Sequence, residues 1–190
     1  MRVSRRRFCQ DLVYVGFGSY LAFATGACRR RRPDDVSPSP PDEPGFCTPA
    51  EYLTLAAACE RLFPRDDDPG AVDLNVPRYV DRQLVSDDFS GWQESFRVHL
   101  VDLDADAQSH HQRPFAQLKP EEQDAVIEGW ASGPRERQSF MRRLMHLTLE
   151  GVFGDPSYGG NRDGKGWALV GFEPSEPRPG EPHRMVGKST

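Results

Sequence analysis

The stretch from Glu150 to Phe172, EGVFGDPSYGGNRDGKGWALVGF, sets seven glycines between Phe153, Tyr158, Trp167 and Phe172. Glycine takes positive φ without steric cost and lets two backbones approach closely. So many in so short a span predict a fixed, convoluted loop rather than a helix or a strand. Large aromatics on such a loop suit one of two tasks. They cap the chain's own core, with the glycines only making the turns possible, or they form a contact surface for another molecule.

Upstream of this loop the pattern is helical. Thr48, Pro49 and Glu51 read as an N-cap, a first-turn proline and the far half of a capping box. Tyr52, Leu55, Ala56, Cys59, Leu62 and Phe63 then recur on one helical face until Pro64 ends it. A second helix is expected over about 77–85, with Tyr79, Val80 and Leu84 inward. A third, over about 90–110, keeps Trp92, Phe96, Leu100, Leu103 and Ala107 in one stripe. After a link holding Pro114, Phe115 and Leu118, Pro120-Glu121-Glu122 starts a fourth, with acidic residues where the helix dipole favours them. Its inner face is Val126, Ile127 and Trp130. A fifth, about 136–150, follows the Gly133-Pro134 break and presents Phe140, Leu144, Leu147 and Thr148, widened by Met141 and Met145. The expected fold is all-α: a small bundle of about five helices closed by the glycine- and aromatic-rich C-terminal loop.

At 190 residues the chain suits one domain, placed at 46–172. Residues 29–45 are a proline-rich segment without apolar periodicity, expected to be a disordered linker, and 173–190 reads as a disordered polar tail. Residues 1–28 have a different character. Ser4-Arg5-Arg6-Arg7-Phe8 fits the twin-arginine pattern S-R-R-x-F through Arg5, Arg6 and Phe8. The uncharged run Leu12 to Ala27 is 16 residues long and diluted with glycine. A membrane span needs about 20 residues, so the run reads as the apolar region of an export signal, the alternative being a basic, partly buried N-terminal helix. The twin-arginine translocase is thus an expected partner, and the expected location is the periplasm, in association with the inner membrane. Thr25-Gly26-Ala27-Cys28 resembles a lipoprotein cleavage box, with Thr where Leu is usual, and makes Cys28 a candidate for acylation. Arg29 to Arg32 would add attraction to anionic headgroups. Ordinary cleavage near Cys28 and an uncleaved anchor are the alternatives.

Net charge is -5, and residues 1–28 contribute four arginines against one aspartate, so the body is more acidic than the whole. Such a body repels a phosphate backbone, which argues against nucleic acid as partner. Cys47 and Cys59 are the cysteines outside the signal region. In an oxidising compartment a Cys47–Cys59 disulfide is permitted, provided the segment before the first helix folds back. A free, buried Cys59 and a bridge to a partner subunit are the other options.

Sites for independent chemistry are hard to find. Asp66, Asp67 and Asp68 carry hard oxygen ligands for Ca²⁺, but three successive side chains diverge, and Asp68-Pro69-Gly70 reads as a solvated turn. His110-His111 are adjacent on a helix, about 100° apart, and do not converge on one ion. His99 and His146 stand alone. Asn161 to Gly166 lacks the order of a phosphate-cradling loop. No Gly-x-Gly-x-x-Gly follows a strand and no Cys-x-x-Cys-His occurs, so no cofactor is expected in this chain.

The wording of the C-terminal segment is itself informative. Thr148-Leu149-Glu150-Gly151, then Asp155-Pro156-x-Tyr158-Gly159-Gly160-Asn161-Arg162-Asp163, then Gly166-Trp167, resembles the gluconate 2-dehydrogenase subunit 3 family. Phe63 to Ala71, of the form Phe-Pro-x-Asp-Asp-x-Pro-Gly-Ala, is similar to the same family at its first helix exit. The resemblance implies a small, non-catalytic subunit of a membrane-bound flavin-dependent sugar or polyol dehydrogenase. Its implied partner is a large FAD-containing subunit of the glucose–methanol–choline class, which commonly has no signal of its own. A cytochrome c subunit often completes such complexes. FAD would then sit in the partner, and this chain would support the partner's maturation and export. Candidate partner contacts are Tyr158, Gly159, Gly160, Asn161, Arg162, Trp167 and Phe172. The alternative is a stand-alone exported or lipid-anchored helical binding protein.

Overall fold

The computed structural model describes residues 39–40 and 45–174. The export-signal residues Arg5, Arg6 and Phe8, the candidate Cys28, most of the 29–45 linker and residues 175–190 lie outside the described residues. Among the described residues there are six α-helices and no strand, as the all-α expectation requires. They are α1 (Pro49–Leu62), α2 (Val76–Gln83), α3 (Ser90–His111), α4 (Pro120–Ala131), α5 (Arg135–Phe153) and α6 (Lys165–Val170). None of these helices is long and apolar enough to cross a membrane.

Helix α1 is the axis of the domain, in contact with α2, α3, α4 and α5. No residue from Glu51 to Leu62 is exposed, whereas the periodicity indicates one apolar face. The reason is size: Ala56, Ala58 and Cys59 are fully buried, and their small side chains let neighbours approach from several directions. A helix enclosed on all sides must have its polar groups satisfied. Arg61 donates to both oxygens of Asp124 on α4, at 2.7 and 3.0 Å. The Glu60 carboxylate accepts the Arg65 and Val72 backbone N–H groups at 2.8 and 2.9 Å, fixing the turn that follows the helix. Burial still pushes the Glu60 carboxyl above its ordinary range, against those two bonds.

At the start of α1 the capping box is present, but its halves are unequal. The Glu51 carboxylate accepts the Thr48 N–H at 2.8 Å, while the Glu51 N–H reaches Thr48 Oγ1 only at 3.4 Å. Thr48→Ala is therefore expected at the small end of N-cap losses, about 0.5–1 kcal/mol, read as a fall of a few degrees in melting temperature.

An aromatic cluster packs the far side of the bundle. Phe96 and Trp130 both meet Phe140 edge-on, with centroids 5.2 and 5.8 Å apart, and His99 stacks on the same ring at 5.2 Å. Trp130 Nε1 donates to Asp106 at 2.7 Å, and Arg137 both pairs with Asp106 at 2.7 Å and lies over the indole. The indole N–H, which would be costly to bury alone, is thus tied to a rim ion pair.

The C-terminal segment differs from the expected loop. Helix α5 runs through Gly151 to Phe153, and α6 is helical over Lys165–Val170. Gly151 faces Tyr79 and Val76 of α2, where a Cβ would lie 2.9 Å from the Tyr79 ring. A helix-weakening residue is used there because α2 and α5 approach closely. Helix α6 is short enough to be hidden by its flanking glycines. Gly171, at φ 69°, ends it in a Schellman turn: Phe172 N–H donates to the Trp167 carbonyl and Gly171 N–H to that of Ala168. The Trp167 and Phe172 rings, 5.3 Å apart edge-on, provide the apolar contact that accompanies such turns.

Candidate functional site

Between α5 and α6 the chain makes two 3₁₀ turns, Pro156–Tyr158 and Arg162–Gly164, with Asn161 between them. This residue is fully buried and left-handed, with φ 43° and ψ 48°. Asparagine tolerates that conformation better than most residues. Its backbone N–H donates to the Gly151 carbonyl at 2.6 Å. Its side-chain N–H donates to the Gly154 carbonyl at 2.8 Å, and its side-chain oxygen accepts the Gly166 N–H at 2.7 Å. One amide thus ties the end of α5 to the start of α6, satisfying backbone groups that would otherwise be orphaned.

A second asparagine holds the loop from outside. Asn75, left-handed at φ 61° ahead of α2, donates its side-chain N–H to the Gly159 carbonyl at 2.8 Å. Beside it the Leu74 carbonyl accepts the Arg162 N–H at 3.2 Å. Trp167 Nε1 donates to the Phe153 carbonyl at 2.7 Å. With both ends and the middle fixed, the loop is a rigid platform.

The seven candidate contact residues divide on this platform. Gly160 and Asn161 are buried, Gly160 against the Gly151 backbone and Asn161 at the hub, so their work is internal. Gly159 is half-buried, with its carbonyl used by Asn75. Tyr158 and Phe172 are exposed, at 49% and 52%. Arg162 is exposed and Trp167 half-buried. Trp167 and Phe172, with Pro156, Gly164 and Pro174, line an open groove of about 550 Å³ whose rim also carries Glu173 and Asp163, the latter paired with Lys165 at 3.1 Å. Trp167 is thus anchored to its own fold, as the core-capping reading expects, and still offers one side outward.

Elsewhere the polar clusters have structural partners. Asp66 Oδ1 accepts the Asp68 N–H at 2.9 Å, closing a local turn, while Asp67 faces solvent. His110 meets the Asp106 carbonyl at 2.8 Å, and His146 pairs with Glu150 at 3.2 Å. Among the described residues no group of three or more His, Cys, Asp or Glu side chains could hold a metal ion. Cys47 and Cys59 are free. Burial pushes the Cys59 thiol up to about 12, and burial together with the Asp81 carboxylate raises that of Cys47 further, so both are protonated at neutral pH and poor nucleophiles.

Sequence reading misses two residues of this region. Asn75 has one available signal, an asparagine directly before the Val76-Pro77 helix start. Arg82 has none. It lies on α2 with its guanidinium against Gly159, close enough that a Cβ there would sit 3.3 Å from Nη1.

No curated protein and no solved structure matches the chain. A protein-family model does. Described as Gluconate 2-dehydrogenase subunit 3, it matches residues 49–174, from the first residue of α1 to the last described residue. That span takes in all six helices, the Asn161 hub and the groove, and on it the chain belongs to the gluconate 2-dehydrogenase subunit 3 family.

Proposed function

We propose that this chain is the small, non-catalytic subunit that binds the large FAD-containing subunit of a glucose–methanol–choline-type dehydrogenase, supports its maturation and carries it through the twin-arginine translocase. The observation that carries this reading is family membership over residues 49–174, which makes the chain an accessory subunit of a dehydrogenase complex. The S-R-R-x-F sequence at Ser4 to Phe8 supports the export part. A translocase that moves folded proteins allows one signal to serve two associated chains. FAD is assigned to the partner, because this chain has no dinucleotide fingerprint. A cytochrome c subunit and the inner membrane complete the proposed assembly on the periplasmic side. Within this chain, the outward residues Tyr158, Arg162, Trp167 and Phe172 are the proposed contacts, on a loop rigid enough to dock without first being ordered.

The test is purification of the tagged full-length protein from its native host, beside an Arg5→Lys/Arg6→Lys variant. The wild-type protein is expected to bring down a stoichiometric yellow flavoprotein with dye-linked dehydrogenase activity from the periplasmic and membrane fractions. The variant is expected to leave both chains in the cytoplasm. A colourless wild-type protein without a partner would overturn the reading and favour a stand-alone binding module.

A further inference from the structure

We propose that the Tyr158 edge of the loop, flanked by Arg82 and Arg162 and continued by the Phe172 groove, docks an acidic segment of the large subunit bearing an apolar side chain. This rests on the subunit reading above and adds to it the contact face and the chemistry of its counterpart. Three observations carry it.

The first is charge. In the described domain Arg61, Arg65, Arg78, Arg113 and Arg137 each lie within 3.3 Å of a carboxylate. Arg82 and Arg162 are exposed and make no ion pair with any described residue, as is also true of Arg135 and Arg142 on α5, but only Arg82 and Arg162 adjoin the exposed Tyr158 turn. In a chain of net charge -5, two uncompensated guanidinium groups beside Tyr158, one from α2 and one from the loop, select an acidic counterpart and disfavour a second copy of the same acidic chain.

The second is placement. Arg82 lies against Gly159, the residue after Tyr158, and the Arg162 N–H is bonded to Leu74, next to the Asn75 that holds the Gly159 carbonyl. Pro156 opens the turn that carries Tyr158 and also walls the groove under Trp167 and Phe172. The charged and apolar parts are thus one surface. The third is residue type. Tyrosine, tryptophan and arginine on a rigid support are the side chains that dominate binding energy at interfaces, with carboxylate as the fork-shaped partner for arginine.

The test uses full-length protein and the co-purified large subunit, with binding measured at low and high salt. Arg82→Glu/Arg162→Glu is expected to weaken the complex on the order of 100-fold. Tyr158→Ala should cost on the order of 10-fold or more. The matched reversal Arg135→Glu/Arg142→Glu, on exposed residues of α5, should stay within about twofold, and wild-type affinity should fall as salt rises. Equal melting temperatures would exclude misfolding as the cause. Wild-type binding that the Arg82/Arg162 reversal leaves intact would overturn this face while sparing the subunit reading. No wild-type binding would overturn both. A wild-type homodimer dissolved by the same reversal would assign the face to self-association. Tighter binding after deletion of residues 175–190, unaffected by the reversal, would assign the groove to the chain's own tail.

Discussion

Asn161→Ala is expected to destabilise the protein by about 3–5 kcal/mol, because it removes a donor and an acceptor carried by a fully buried side chain. Two backbone groups lose their partners: the half-buried Gly154 carbonyl, bonded at 2.8 Å, and the buried Gly166 N–H, bonded at 2.7 Å. Leaving the Gly166 N–H unsatisfied costs about 1–3 kcal/mol, and the half-buried Gly154 carbonyl adds about 1 kcal/mol. Alanine must also hold φ 43°, adding about 1 kcal/mol. The sum is large against a total stability of about 5–15 kcal/mol.

Two further variants separate these contributions. Asn161→Gly relieves the backbone but still lacks the amide, so it should recover only about 1 kcal/mol relative to alanine. Asn161→Asp can accept the Gly166 N–H but cannot donate to Gly154, and it buries a charge; it should be no better than alanine. Denaturant unfolding ranks the three. Hydrogen exchange at the Gly166 amide reports whether the loss is local opening or global unfolding. A loss under 1 kcal/mol for Asn161→Ala would mean that the two turns hold themselves without the Asn161 amide.

The helical faces were legible because a 3.6-residue period needs no tertiary information. Phe96, Leu100, Leu103 and Ala107 are all fully buried, as their spacing on α3 indicates. The enclosure of α1 was not legible: Thr54 and Ala58 are buried because α3 and α5 come close, and alanine is equally at home on a surface. Helix α6 was masked by its own punctuation, since Gly164 and Gly171 cap a helix of only six residues. Asn161 reads in the sequence as a contact candidate beside Arg162, and only the backbone path shows one side chain turned inward and the next outward. Arg82 joins the candidate face through the packing of α2 on α5, a relation between residues far apart in the chain. Local chemistry is thus readable from neighbours in sequence, whereas a surface assembled from α2 and the loop is not.

Gly166→Ala tests the close approach of α6 to the end of α5 and should cost about 3–5 kcal/mol, more for valine. A Cβ on Gly166 would overlap the Val152 carbonyl oxygen and lie 2.8 Å from the Asn161 side-chain oxygen. The obstacle is backbone at the buried end of α5, which cannot swing aside as a flexible side chain can, so α6 has to move outward. Overpacking of this kind costs about 1–3 kcal/mol. The movement also stretches two bonds now at 2.7 Å, Gly166 N–H to Asn161 and Trp167 Nε1–H to Phe153. Each contributes about 1 kcal/mol. Gly129→Ala is the control. It lies inside α4 with nothing within 4 Å of a Cβ, and should stabilise by about 0.5–1 kcal/mol through helix propensity. The two glycine-to-alanine changes are therefore expected to shift the melting temperature in opposite directions. Because Trp167 and Phe172 ride on α6, Gly166→Ala should also weaken the proposed complex more than its residual folded fraction accounts for. Tyr158, tied through Gly159 to Asn75, should keep its position. An unchanged melting temperature for Gly166→Ala would show that α6 stands off from α5 far enough to admit a methyl group, and would remove the basis for treating this loop as a rigid platform.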